Sequence, residues 1–129
     1  MILDTAFVID FVKGNPRAVS KMESMIENGI PISITTPTIV ELWSGLISLK
    51  KSILEKQKII SFVNSLIIYD LDKESAEEAG RIDGELIKNG LEIDTEDSMI
   101  AGIAKANNQK ILTRDGHFRR IEWLKVESY

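Results

Sequence analysis

The chain contains no cysteine. That single absence excludes a disulfide framework, a thiolate metal site and a cysteine nucleophile, and it suits a reducing, cytoplasmic setting. Histidine is almost as scarce, His117 being the only one. A metal-free ribonuclease working through paired imidazoles is therefore excluded, and a Ser-His-Asp hydrolase would have to use this one turn residue as its base. No apolar run is long enough to span a membrane. The opening MILDTAFVIDFV carries Asp4 and Asp10 and no basic leader, so neither anchor nor signal peptide is expected. A basic excess is missing too, with 20 acidic against 16 basic residues and a net charge of −4. Nucleic-acid binding is driven by Lys and Arg neutralising phosphates, so this balance argues against such a partner. The objection weakens if several acids gather around one divalent cation, which reverses the local sign.

What is present is 129 residues, 43% hydrophobic and 28% charged, the proportions of one globular domain spanning residues 1–129. No repeat, low-complexity run or linker divides it. Helix and strand patterns alternate along the chain. Strands are expected at Ile2–Leu3, Ile30–Ile34, Ile67–Tyr69 and Lys110–Thr113, with an edge strand at Trp123–Val126. Helices are expected over Ala6–Val12; over Ala18–Asn28, with Met22, Met25 and Ile26 on one face; from Thr35-Thr36-Pro37 through an inner face of Ile39, Val40, Leu42, Leu46 and Ile47; over Ser52–Leu66; and over Lys73–Lys88, with Ala76, Ala79, Ile82, Leu86 and Ile87. Such alternation predicts α/β architecture, a parallel sheet with helices on both faces.

The most informative stretch is LEIDTEDSMIAGIAKANNQKILTRDG, residues 91–116. Asp94 or Thr95 can cap a helix there, which puts Asp97 in its first turn. Met99, Ile100, Ala101, Ile103, Ala104 and Ala106 cover so much of its circumference that the helix should be largely buried. The strand at Lys110–Thr113 then ends in Arg114-Asp115-Gly116. Asp4 and Asp115 thus fall at carboxyl ends of strands, where open α/β sheets bind ligands, and Glu41 joins them if its helix starts from the same edge. Carboxylates gathered this closely repel one another unless a cation compensates them. Mg²⁺ and Mn²⁺ are the oxygen-seeking ions suited to that role, and metal-assisted phosphodiester hydrolysis is the reaction class implied. Taken singly, each acid is as well explained as a helix cap or a solvated side chain.

ILDTAFVIDFVKGN, TPTIVELWSG and EDSMIAGIAKANNQKILTRDGHF, with the closing hydrophobic strand, resemble the PIN-domain nucleases, most closely the small VapC-type toxins of prokaryotic toxin–antitoxin pairs. The resemblance runs over essentially the whole chain. It implies a PIN-like three-layer sandwich with a central parallel sheet of about five strands, and a metal-dependent endoribonuclease. It also implies that Asp4, Glu41, Asp97 and Asp115 hold Mg²⁺ or Mn²⁺ while Thr5 and Thr113 order the site. Among the crowded acids the family's spacing selects Asp97, leaving Asp94 as a cap. Gly102 replaces a more usual alanine, a change expected to be harmless for packing. The partners implied are an RNA substrate, a small cognate antitoxin covering the site and a second copy in a homodimer. A housekeeping RNA-processing nuclease and a non-catalytic PIN module are the alternatives. Of the remaining residues, Arg114, Arg119 and Arg120 surround Asp115 and are placed to meet RNA phosphates. His117 and Asp10 read as surface, and Trp43 as partly exposed core.

Overall fold

Ile2 and Leu3 set the pattern of the sheet. Successive strand residues face opposite ways, and these two are fully buried on opposite sides of it. Ile111 and Leu112 repeat that division next door, Ile111 packing with Ile2 and Leu112 with Leu3. The computed structural model describes residues 1–129. Its strands are β1 (Ile2–Leu3), β2 (Ser33–Thr35), β3 (Ile67–Tyr69), β4 (Ile111–Leu112) and β5 (Val126–Glu127), all paired in parallel in the order β3-β2-β1-β4-β5. Parallel strands need crossovers, and six helices supply them: α1 (Thr5–Val12), α2 (Pro16–Glu27), α3 (Thr36–Ser48), α4 (Ile53–Asn64), α5 (Lys73–Lys88) and α6 (Thr95–Ala106). One face is packed by Phe7, Val8, Met22, Met25, Leu42, Ile59 and Val63 from α1 to α4. The other is packed by Ile82, Leu86, Ile100, Ala101, Ile103 and Ala104 from α5 and α6. The result is a three-layer sandwich, as expected.

Local chemistry sets the helix ends. The Asn15 side chain accepts from the Arg17 and Ala18 amides at 3.0 and 3.3 Å, and Pro16 opens α2. Asp72 likewise accepts from the Ser75 amide at 2.9 Å at the start of α5. Several expected inner faces are narrower than the apolar pattern suggests. Ile26, Val40, Ile47, Ala76 and Ile87 are exposed. The buried stripe of α3 is instead Pro37, Thr38, Leu42 and Leu46, because a helix against a flat sheet hides only about a third of its circumference. The last strand also starts later than expected: Trp123 lies in the preceding turn, nearly half exposed, with the Lys105 ammonium 4.9 Å from its ring centre. Trp43 is half-buried against the core, as its position suggests.

Gly102 departs from expectation more sharply. A methyl group there would lie 2.5 Å from the Ser75 carbonyl oxygen and 2.6 Å from the Ala79 nitrogen. The α5 backbone runs directly against α6 at this position, so glycine is required and alanine is not a harmless equivalent.

Chain order places the ligand edge. From β1 the sheet grows one way through β2 and β3, and the other way through β4 and β5. In open α/β sheets the carboxyl ends of the strands at such a reversal, here β1 and β4, are where ligands bind. Asp4 follows β1 and Thr113 follows β4 at that edge.

Candidate metal centre

Asp4 is held from both sides. Its Oδ1 caps α1 by accepting from the Phe7 amide at 2.8 Å, and its Oδ2 accepts from the Thr113 hydroxyl. The Thr113 oxygen in turn accepts from the Asp115 amide at 2.8 Å. One buried hydroxyl thereby ties the end of β1 to the turn after β4. Burial raises the Asp4 carboxyl above its ordinary range, the bonds from Thr113 and Phe7 oppose that, Asp115 adds to it and Arg114 subtracts.

Asp97 enters from the first turn of α6. It shares a small space with Asp115 and His117, one potential ligand atom from each lying within 4.8 Å of the others. Burial pushes the Asp97 carboxyl up to about 6, with repulsion from Asp115, Asp94 and Glu41 adding to the effect and His117 opposing it. Glu41 approaches from α3, where its Oε2 accepts from the Thr5 hydroxyl at 2.5 Å. Its charge reaches Glu96 as well, whose carboxyl is raised by burial first, then by Glu41 and Asp94. Asp97 and Asp115 therefore meet with His117, while Asp4 and Glu41 lie outside that compact group and are tied to the same rim through Thr113, Thr5 and mutual repulsion.

This donor set fits a divalent cation. It is rich in carboxylate oxygen, one of its acids is driven toward protonation by burial and then by its acidic neighbours, and the positive groups acting on it are only His117 and, at Asp4, Arg114. The hydroxyl of Thr113 matters because two acids depend on it. Thr113→Val is expected to lower stability by about 2 kcal/mol, since it strands a buried Asp4 oxygen and the part-buried Asp115 amide. The same variant should weaken Mn²⁺ uptake by roughly tenfold or more. Thr113→Ser should preserve both, and thermal unfolding with titration calorimetry checks the pair.

Three surrounding residues differ from their sequence reading. Asp94 occupies the N-cap position of α6, but its side chain makes no cap bond; Glu96 and Asp97 supply the acidic first turn that complements the helix dipole. Asp10 is not helix surface. It is 9% exposed, accepts from the Tyr129 hydroxyl at 2.7 Å and pairs with Arg114 at 3.0 Å. Tyr129 meets Phe7 edge to face at 4.7 Å, so the last residue of the chain seals that network. His117, read as surface, is half exposed yet belongs to the acidic group. Of the three arginines only Arg114 remains beside the acids. Arg119 bonds the Ser128 hydroxyl at 3.2 Å, and Arg120 bonds the Glu92 carbonyl at 2.6 Å.

Comparison with known proteins follows the same outline. A family model described as PIN domain matches residues 1–124. The chain is 28% identical to the tRNA(fMet)-specific endonuclease VapC of Shigella flexneri over 132 aligned positions, covering 99% of this chain and 96% of that protein. It is 26% identical to ribonuclease VapC2 of Rickettsia felis, with the same coverage. Among solved structures, VapBC2 of Rickettsia felis bound to a promoter DNA fragment superposes with a TM-score of 0.88 at 27% identity, covering 98% of this chain and 96% of that one. DNA-bound VapBC of Salmonella typhimurium superposes with a TM-score of 0.82, also at 27% identity and with the same coverage.

Proposed function

The chain belongs to the PIN-domain family, and from that premise we propose that it is a metal-dependent endoribonuclease, the toxin of a VapBC-type toxin–antitoxin pair. The observation that carries this reading is the meeting of Asp97 and Asp115 at the carboxyl edge of the sheet, with the charge of Glu41 reaching Asp97 and that of Asp115 reaching Asp4. Asp4, Glu41, Asp97 and Asp115 would hold Mg²⁺ or Mn²⁺, directly or through water. Such an ion supplies charge neutralisation at the phosphate and a water activated for attack. The chain's own contributions are orientation and charge. Thr113 fixes Asp4 and the Asp115 turn in one register, and Thr5 does the same for Glu41. Arg114, braced by Asp10, presents a guanidinium beside the acids for an RNA phosphate. A local pool of positive charge then resolves the conflict between an acidic chain and an anionic substrate.

The Rickettsia felis and Salmonella typhimurium structures are VapBC assemblies, and a cognate antitoxin is the expected protein partner. Ile47, Leu49, Ile53 and Leu54, exposed on both sides of the α3–α4 connection, offer apolar surface for protein contact. A homodimer is part of the same proposal. No helix is long and apolar enough to cross a membrane.

The test is cleavage by the purified chain of tRNA(fMet), the substrate named for the Shigella flexneri relative. Cleavage should require Mg²⁺ or Mn²⁺, stop on chelation and leave 5′-phosphate and 3′-hydroxyl ends, because water attacks. A 2′,3′-cyclic phosphate would mean attack by the ribose hydroxyl and would contradict the mechanism.

A further inference from the structure

We infer that His117 is a metal ligand, which makes this centre a mixed carboxylate–imidazole site that discriminates for Mn²⁺ against Mg²⁺. The inference rests on the metal-dependent reading and adds a nitrogen donor to it. The first support is position: His117, Asp97 and Asp115 each bring a potential ligand atom within 4.8 Å of the other two. Small rotations of a half-exposed ring bring such a trio to one ion.

The second support is how the imidazole is fixed. The His117 amide donates to Asp115 Oδ1 at 2.9 Å, and ring Nδ1 stands 3.3 Å from the same oxygen. The short 3₁₀ helix Gly116–Arg120 thus folds the ring back over the acid that begins it. Asp115 is the one side chain that pairs with the ring, and half of the ring is open to solvent, so it is held by a prospective ligand and still accessible to an ion.

The third support is the state of the other acids. Asp4 has one oxygen engaged by the Phe7 amide and the other by the Thr113 hydroxyl. Glu41 and Asp115 each have one oxygen engaged, by the Thr5 hydroxyl and the His117 amide, and each keeps the other. Asp97, Asp115 and His117 form the compact group.

Chemistry then decides the selectivity. Mg²⁺ is hard, holds its water tightly and is bound through oxygen; Mn²⁺ also favours carboxylate oxygen, but it opens the transition series, whose ions take up an added imidazole nitrogen with rising affinity. A chain whose compact group is two carboxylates and an imidazole therefore favours Mn²⁺.

The experiment uses the full-length, metal-free protein at pH 8 with Mn²⁺ or Mg²⁺ alone. Pulsed electron paramagnetic resonance of the Mn²⁺-loaded protein should show hyperfine coupling to a ligand nitrogen. His117→Gln should abolish that coupling and weaken Mn²⁺ binding by about tenfold or more, while Mg²⁺ binding changes by less than about twofold. His117→Asp should recover Mn²⁺ affinity without the nitrogen signal, which separates lost ligation from lost folding. Bound Mn²⁺ lacking nitrogen coupling in the unsubstituted protein would overturn the assignment of His117 and leave the nuclease reading standing. No Mn²⁺ uptake at all would overturn both.

Discussion

Asp97→Asn is expected to slow RNA cleavage by on the order of 10³-fold, about 4 kcal/mol of transition-state stabilisation, while making the metal-free protein harder to unfold at neutral pH. The first effect follows from removing a charged ligand at nearly constant volume. The second follows from the burial of the Asp97 carboxylate and, after that, from the repulsion its neighbours exert on it. With its carboxyl pushed up to about 6 from an ordinary 3.8, the folded state binds that proton more tightly than the unfolded chain does. Folding stability contributed by this group is complete below about pH 4, declines as pH rises to about 6 and is absent above that. Asparagine carries no charge and escapes the loss. The melting temperature of the variant should therefore pull ahead of the parent between pH 4 and 6 and hold that lead at pH 7, to an extent limited by solvent reaching the half-buried side chain. Saturating Mn²⁺ should reverse the order, because it binds the parent and stabilises it. Thermal scans across pH with and without metal, set beside single-turnover cleavage rates, check all three statements. Cleavage retained within about tenfold would transfer the ligand role to Asp94 or Glu96.

Gly102→Ala should be the most damaging conservative change in the molecule outside the acids. Helix propensity alone favours alanine over glycine by about 1 kcal/mol. Against that, the new methyl would sit 2.5 Å from the Ser75 carbonyl oxygen and 2.6 Å from the Ala79 nitrogen, both backbone atoms of α5 that no rotamer change can move aside. Forcing two packed helices apart costs about 1–3 kcal/mol, and a backbone clash lies at the upper end or beyond. A net loss of about 2 kcal/mol, roughly 8 °C in melting temperature, is expected. Asp97 rides on the same helix, little more than one turn ahead of Gly102. The shift should consequently weaken Mn²⁺ binding too, which a substitution at exposed Gly84, with open space around it, should not do. Calorimetric unfolding and metal titration of the two variants make the comparison.

The sequence carried the frame well and the cross-chain contacts poorly. Short apolar runs such as Ile2–Leu3, each followed by a helix start, are local signals, and they located the strands and the edge where Asp4, Asp115 and the turn after β4 lie. Capping of the same local kind puts Asp97 in the first turn of its helix, whereas Glu41 joins the edge only on the condition that its own helix starts there. What the residues alone could not reveal is contact between distant segments. Asp10 looks like solvent-facing helix until Tyr129 and Arg114, more than a hundred positions away, are folded onto it. His117 looks like a turn residue until α6 carries Asp97 to it. Gly102 looks interchangeable with alanine because the obstacle is the backbone of another helix. Val40 and Ile47 are exposed although they share the apolar stripe, because periodicity marks such a stripe without fixing how much of it the sheet covers. In each case hydrophobicity and capping are one-dimensional quantities, and the missing term is tertiary.

Anomalous diffraction from crystals of the full-length protein soaked in Mn²⁺ tests the central claim most directly, because it locates the ion with no reference to activity. The account predicts strong anomalous density between the Asp97 and Asp115 carboxylates, at the carboxyl ends of β1 and β4. Saturating Mn²⁺ that leaves this rim empty, or that appears only on acids elsewhere, would contradict it.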